Sequence, residues 1–241
     1  MLRSRVYANN KNEPVKDLLD LSLLTVGKLN DKVSGYNLLQ ATANSSSFVW
    51  DSSVGAYQFS VTGLQTSYAP YINYGSNSNS PLASIISTNG PSTNYTVSYE
   101  IMSDRVNQNQ WQVLFRPNVN SFGSAKLCMA TSIKGADEYN LRNILVANRW
   151  YRFVFYIDLD NVQSGYFTQY GYSRDLTTNV IRHAYVTRWT LSSNLAVTND
   201  ASKIYIIGAN ANNEKTNSPV TVKKYLRNLR ILSGDARQYL I

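Results

Sequence analysis

WYRFVFYIDLD, residues Trp150–Asp160, is the stretch whose reading decides the fold. It is dense in aromatic and β-branched residues and holds neither Gly nor Pro, the composition of a strand occupied on both faces. Side chains alternate along a strand with period two. One face therefore carries Trp150, Arg152, Val154, Tyr156 and Asp158, and the other Tyr151, Phe153, Phe155, Ile157 and Leu159. The second set is wholly apolar or aromatic, so it marks the core side of a sheet.

Working outward, the same alternation recurs. In YTVSYEIMS the set Tyr95, Val97, Tyr99 and Ile101 opposes Thr96, Ser98, Glu100 and Met102. In VKKYLRNLRIL strict alternation puts Tyr225, Arg227, Leu229 and Ile231 on one side and Leu226, Asn228, Arg230 and Leu232 on the other. That strand is apolar in part on both sides, as a mid-sheet strand is. Strands are expected at 48–50, 56–61, 71–74, 95–103, 110–116, 126–131, 139–145, 150–158, 165–172, 181–190, 203–207 and 222–232. Between them lie turn-rich stretches such as GSNSNSPLAS (Gly75–Ser84) and ANANNEKTNSP (Ala209–Pro219). About a dozen short strands with no repeat period predict a sandwich or barrel.

Composition agrees. The 241 residues include 18 Tyr but only 16% charged residues, which favours strands over surface helices. The net charge of +8 is spread along the chain, without a basic helix or a nucleic-acid motif, so no nucleic-acid partner is expected. The single cysteine, Cys128 in LCMA, makes neither an internal disulfide nor a cysteine-based zinc site. No stretch reaches the roughly 20 apolar residues of a membrane helix. The arginines of MLRSRVYANN are not followed by a signal-peptide apolar run.

The only strong helix signal lies over 13–27. Glu13, Pro14 and Asp17 suit a first helical turn, Val15, Leu18, Leu19 and Ser22 share a helical face with Leu21 and Leu24 nearby, and Gly27 is a stop. At Gly35 the composition changes. The expected division is an N-terminal arm, 1–34, with one helix, and a sandwich domain, 35–241, with an insertion at about 159–202. The leucines of the arm either pack on their own domain or dock on a neighbouring subunit. The break at Gly35 favours docking, with Val15, Leu18, Leu19, Leu21 and Leu24 as the assembly contact.

FVWDSSVGAYQFS, YTVSYEIMS, WQVLF (Trp111–Phe115), NRWYRFVFYID (Asn148–Asp158), IYIIG (Ile204–Gly208) and YLRNLRIL (Tyr225–Leu232) follow one another in an order that resembles the concanavalin A-like lectin/glucanase superfamily, in its laminin-G-like branch. The resemblance covers 48–232 and implies a jelly roll of two stacked antiparallel sheets, with a concave sheet and rim loops that often bind carbohydrate. It departs after Asp158, where the long insertion carries YFTQYGY (Tyr166–Tyr172) and AYVTRWTL (Ala184–Leu191). A shorter phrase, GYNLLQAT (Gly35–Thr42), resembles one that opens carbohydrate-binding-like domains in tailed-phage fibre and baseplate proteins.

The chemistry of the enzymes in this superfamily is missing. Glucanases place two carboxylates on one strand face in E-x-D-x-x-E or E-x-D-x-E, and no such motif occurs; Asp158 and Asp160 share a face without a Glu partner. The only histidine, His183, follows Ile181 and Arg182 rather than the Gln of a lyase phrase, and no G-x-S-x-G is present. Laminin-G-like domains hold calcium on Asp and backbone carbonyls, so the resemblance makes Asp158, Asp160 and Asp200 the candidates for a structural calcium ion; no other cofactor is implied. Tyr166, Tyr170, Tyr172 and Trp189 of the insertion are the candidate glycan-stacking residues, since exposed aromatic rings stack on sugars. The expected protein is a non-enzymatic structural or adhesive virion component, a decoration or fibre protein with a lectin-like sandwich. Its expected partners are copies of itself, other virion proteins, and host or environmental glycans. The alternatives are a stand-alone carbohydrate-binding module and a polysaccharide lyase or hydrolase.

Overall fold

The computed structural model describes residues 15–21, 31–33, 35, 39–41, 49–61, 71–73, 94–104, 111–113, 130–132, 146–158, 160, 166–190, 205–207 and 222–240. These hold thirteen strands: β1 (Asp17–Asp20), β2 (Leu39–Ala41), β3 (Val49–Asp51), β4 (Ala56–Val61), β5 (Tyr71–Asn73), β6 (Tyr95–Ser103), β7 (Trp111–Val113), β8 (Ala130–Ser132), β9 (Tyr151–Asp158), β10 (Tyr166–Asp175), β11 (Val180–Thr190), β12 (Tyr205–Ile207) and β13 (Val222–Ser233). Eight of them form one antiparallel sheet in the order β11-β10-β9-β6-β13-β4-β3, with β1 also on β13. A second sheet has the order β12-β5-β2, and β7 pairs with β8. The fold is all-β and belongs to the jelly-roll sandwich class, as expected. Among the described residues, helix is confined to a 3-10 turn at Arg237–Tyr239, and none is long and apolar enough to cross a membrane. The expected strand at 139–145 lies outside the described residues.

The core face is the one that the alternation of β9 predicts. Tyr151, Phe153, Phe155 and Ile157 are each 1–2% exposed. Antiparallel register sets Phe155 opposite Val97 and Phe153 opposite Tyr99, and the rings stack, Tyr99 on Phe153 at 5.4 Å and Phe153 on Phe155 at 6.1 Å. Leu226, Leu229 and Ile231 of β13 complete this layer.

Strict alternation fails in β13. Arg227 pairs with Glu100 and Arg230 with Ser98, so Asn228 and Leu229 together oppose the single residue Tyr99. This is a β-bulge, and Asn228 takes the left-handed conformation at φ 54°. The extra residue resets the parity of the strand. Arg227 and Arg230 thereby share the polar face, while Leu229 and Ile231 both turn to the core.

The helix expected over 13–27 is corrected at Asp17–Asp20; residues 13, 14 and 22–27 lie outside the described residues. Asp17–Asp20 is a strand, β1, pairing Asp17 with Leu232 and Asp20 with Arg230. A short isolated helix is marginal, and tertiary pairing overrides its propensity. Here the extended form gains sheet bonds, including Leu21 N to Leu229 O at 2.8 Å, and a two-pronged ion pair in which Arg230 donates to Asp17 at 2.8 and 2.9 Å. Asp31 Oδ1 secures the far end by accepting from the Asp20 and Val33 amides. Leu18 and Leu21 are buried in this chain's own fold, at 9% and 1% exposure. Val15 packs against Val154, Tyr172, Leu232, Ala236 and Leu240. For Leu19 only the backbone is described, opposite Ile231, and Leu24 lies outside the described residues.

The insertion contributes a hairpin. β10 and β11 pair from Tyr166–Thr190 to Asp175–Val180 and extend the large sheet beyond β9. Asp175, fully buried, ties the intervening turn by accepting from the Thr177 and Thr178 amides at 2.9 and 3.2 Å. After β13 the chain folds back over the polar face. Thr96 Oγ1 donates to Gly234 O at 2.7 Å and accepts from Ala236 N at 2.9 Å, which lays residues 234–240 across the sheet as a strap.

Candidate functional site

Pairing register brings four charged side chains abreast on the polar face. Arg227 of β13 pairs with Glu100 of β6, Glu100 with Arg152 of β9, and Arg152 with Arg174 of β10. Glu100 is buried, and each oxygen has its own guanidinium. Arg152 donates Nε and Nη2 to Oε1 at 3.2 and 2.7 Å, and Arg227 donates Nε to Oε2 at 2.7 Å. Burial alone would raise the Glu100 pKa; the bonds and charge of Arg152 and Arg227 outweigh it and hold the carboxyl below its ordinary value. Glu100 is thus a fixed anion, and it locks both arginines in place.

The two arginines retain about a third of their side-chain exposure, 32% and 33%. Arg152 spends its remaining end on Leu240 O, at 3.3 Å. Arg227 lies over the half-buried Trp150 ring at 4.0 Å, and no acceptor for its terminal nitrogens occurs among the described residues. Arg174 donates Nη1 to Asn179 Oδ1 at 2.7 Å; among the described residues it has no carboxylate partner, and its Nε is buried without an acceptor. The Trp150 indole, under the Arg227 guanidinium, therefore lies beside a row of guanidinium groups on the sheet. Such a surface offers an apolar plane and directed donors side by side.

The aromatic residues expected to stack on glycans lie on the β10–β11 hairpin. Tyr172 is buried at 9% exposure beneath Leu240 and Ala236, and its hydroxyl has no hydrogen-bond partner among the described residues. Burial raises its pKa. Tyr170 stacks on Tyr156 at 5.7 Å, and Arg237 of the strap covers both rings at 4.6 and 4.9 Å. Tyr166 pairs with Thr190, and Trp189 pairs with Phe167, one position out of step with Tyr170 and Tyr172. Register thus puts Trp189 on the opposite face of the hairpin from Tyr166, Tyr170 and Tyr172. His183 pairs with Ser173, which pairs with Phe153, so its register is that of the core face.

The carboxylates proposed for calcium serve the chain itself. Asp158 Oδ1 accepts from the Asp160 amide at 3.0 Å, and Asp160 Oδ1 accepts from Asn94 Nδ2 at 3.2 Å. Burial, with Asp160 and Asp235 nearby, raises the Asp158 pKa. Asp200 lies outside the described residues, and among those described no three His, Cys, Asp or Glu side chains are grouped to hold a metal.

Alternation placed Glu100 and Arg152 opposite the apolar sets of their strands, but nothing local said that they would meet each other or Arg227. Asp175 was missed altogether. Besides the turn amides it accepts from Arg182 at 3.3 Å and Arg149 at 3.4 Å. Burial opposes its ionisation, but these bonds win and lower its pKa.

No protein-family model and no curated protein sequence matches the chain. Solved structures do. The chain is similar to the marine PL-14 alginate lyase from Aplysia kurodai, with TM-score 0.51 and 9% identity over 91% of this chain and 100% of that one. It is also similar to the botulinum neurotoxin serotype C1 binding domain, with TM-score 0.53 and 11% identity over 92% of this chain and 50% of that one. At these identities the likeness is one of fold. It places the chain among jelly-roll-like β-sandwiches, in keeping with the concanavalin A-like architecture read from the sequence.

Proposed function

We propose that this chain is a non-catalytic glycan-binding β-sandwich whose saccharide lies on the end of the polar face left open by the strap. The observation that carries the reading is the pairing of Trp150 with Arg227 at 4.0 Å, beside the Arg152–Glu100 ion pair. A sugar offers C–H faces to an aromatic plane and hydroxyls to fixed donors, and a few placed polar groups around an apolar surface are how small-ligand sites obtain orientation. The fold likeness to an alginate lyase is in keeping with a saccharide ligand. Binding to a glycan array, followed by calorimetry, tests the reading. Wild type is expected to bind at least one saccharide and Trp150→Ala to lose about tenfold or more in affinity, the scale of one aromatic contact. Equal binding by Trp150→Ala would remove Trp150 from the site.

A polysaccharide lyase is the second reading, favoured by the match to the whole length of an alginate lyase structure. Against it stand the core-face register of His183, the covered Tyr172 with its raised pKa, and the fixed charge of Glu100. Release of unsaturated sugar ends by the purified chain would establish turnover. The wider setting we propose is adhesion from a particle such as a tailed-phage virion, supported by the phrase at Gly35–Thr42. Mass spectrometry of purified particles tests it, and absence of the chain from them overturns it.

A further inference from the structure

The row that crosses the polar face carries three guanidinium groups, on Arg227, Arg152 and Arg174, against the single carboxylate of Glu100, an excess of two positive charges. Arg152 is consumed within the row, since its donors go to Glu100 and to Leu240 O. The donors left over among the described residues are at the two ends: both terminal nitrogens of Arg227, and Nη2 of Arg174, whose Nε is buried. Arg227 uses only Nε, and Arg174 meets only the neutral acceptors of Asn179 among the described residues. The two arginines sit three strands apart, about 14 Å at about 4.8 Å per strand. Between them the Glu100–Arg152 pair is electrically balanced.

From this we infer that the ligand is an acidic saccharide chain, of the uronate type, lying across the strands β13-β6-β9-β10, with one carboxylate at Arg227, a second at Arg174, and a ring against Trp150. The inference rests on the glycan-binding reading above. Arg227, with both terminal nitrogens open, matches a planar carboxylate in two-pronged geometry, and Arg174 meets one through its remaining terminal nitrogen; a charged donor holds a carboxylate more firmly than a neutral hydroxyl. Charge at the ends with balance in the middle suits a polymer whose anionic groups are separated by whole sugar rings. A nucleic-acid backbone carries a charge about every 3.4 Å per strand and is met by many basic groups at once, which this row does not supply.

The test is calorimetry of the full chain with oligouronates of four to eight residues, neutral oligosaccharides of the same lengths, and a single-stranded oligonucleotide. Wild type is expected to bind the oligouronate, with affinity falling several-fold as salt screens the contacts. Arg174→Gln and Arg227→Gln are each expected to weaken it by about ten- to a hundredfold, the loss of one charged hydrogen-bonding group. Arg174→Lys, which keeps the charge but not the fork, should fall between. Thermal melts identify any variant that has unfolded, and a folded Arg174→Gln or Arg227→Gln that binds the oligouronate like wild type overturns the inference. So does tighter or equal binding of a neutral oligosaccharide, which leaves the glycan reading standing. Binding of the oligonucleotide as tightly as the oligouronate, lost in the same variants, also overturns it. Failure of every saccharide to bind overturns both.

Discussion

Arg227 donates its Nε to Glu100 Oε2 at 2.7 Å across the β13–β6 pair, while Arg152 holds the other oxygen from β9. One buried carboxylate thus joins three adjacent strands. Glu100→Gln keeps the shape and removes the charge. It is expected to cost about 2 kcal/mol, the scale of hydrogen bonds to charged groups, with part recovered because the arginines are in contact with water. Urea unfolding measures it, and a change below about 0.5 kcal/mol would mean that the ion pairs contribute nothing net.

The same carboxyl sets an acid dependence. The folded-state pKa of Glu100 lies below its ordinary value, so its stabilisation is fully present above that value. It is lost as the pH falls through the lower folded-state pKa. Asp175 acts in the same sense. Asp158, with a raised pKa, stabilises at low pH and loses that contribution as the pH rises through its folded-state pKa, so it opposes the other two. Melting temperatures followed from neutral pH into the acid range should fall less steeply for Glu100→Gln than for wild type. Parallel curves would contradict the assignment.

Asn228 sits at φ 54°, a conformation open to Asn and Gly and costly for a β-branched residue. Asn228→Val is expected to destabilise by about 1–3 kcal/mol, and Asn228→Gly by under about 1 kcal/mol. Equal effects in chemical denaturation would show that the bulge is not what constrains this position.

Leu21, at 1% exposure, follows the strand that replaces the expected helix. Leu21→Ala should lower the stability of the domain itself by about 2–4 kcal/mol. A purified variant with wild-type stability and altered self-association would instead return the segment to an assembly role.

Phe155→Ala probes the core layer, where the ring lies within 6.1 Å of both Tyr99 and Phe153. The expected loss is about 3–5 kcal/mol, read by denaturant midpoint. A loss under about 1 kcal/mol would place the core on the other face.

What the sequence determined by itself was what is local. Period two in 150–158 and 95–103 separates Phe155 and Tyr99 from Arg152 and Glu100, because the pleat alone sends neighbouring side chains to opposite faces. Turn-rich stretches and sparse charge were enough for an all-β sandwich. Only the tertiary structure decided which strands are neighbours. That choice turned Asp17–Asp20 from a helix signal into a strand beside β13, and it brought Arg227, Glu100, Arg152 and Arg174 into one row. It also placed the bulge at Asn228, which set Arg227 and Arg230 on one face against the pattern of their own strand, and it covered Tyr172 with Leu240. Each of these depends on partners distant in the chain. Their pairing energy exceeds the local preferences of a few residues, and no short window of sequence contains it.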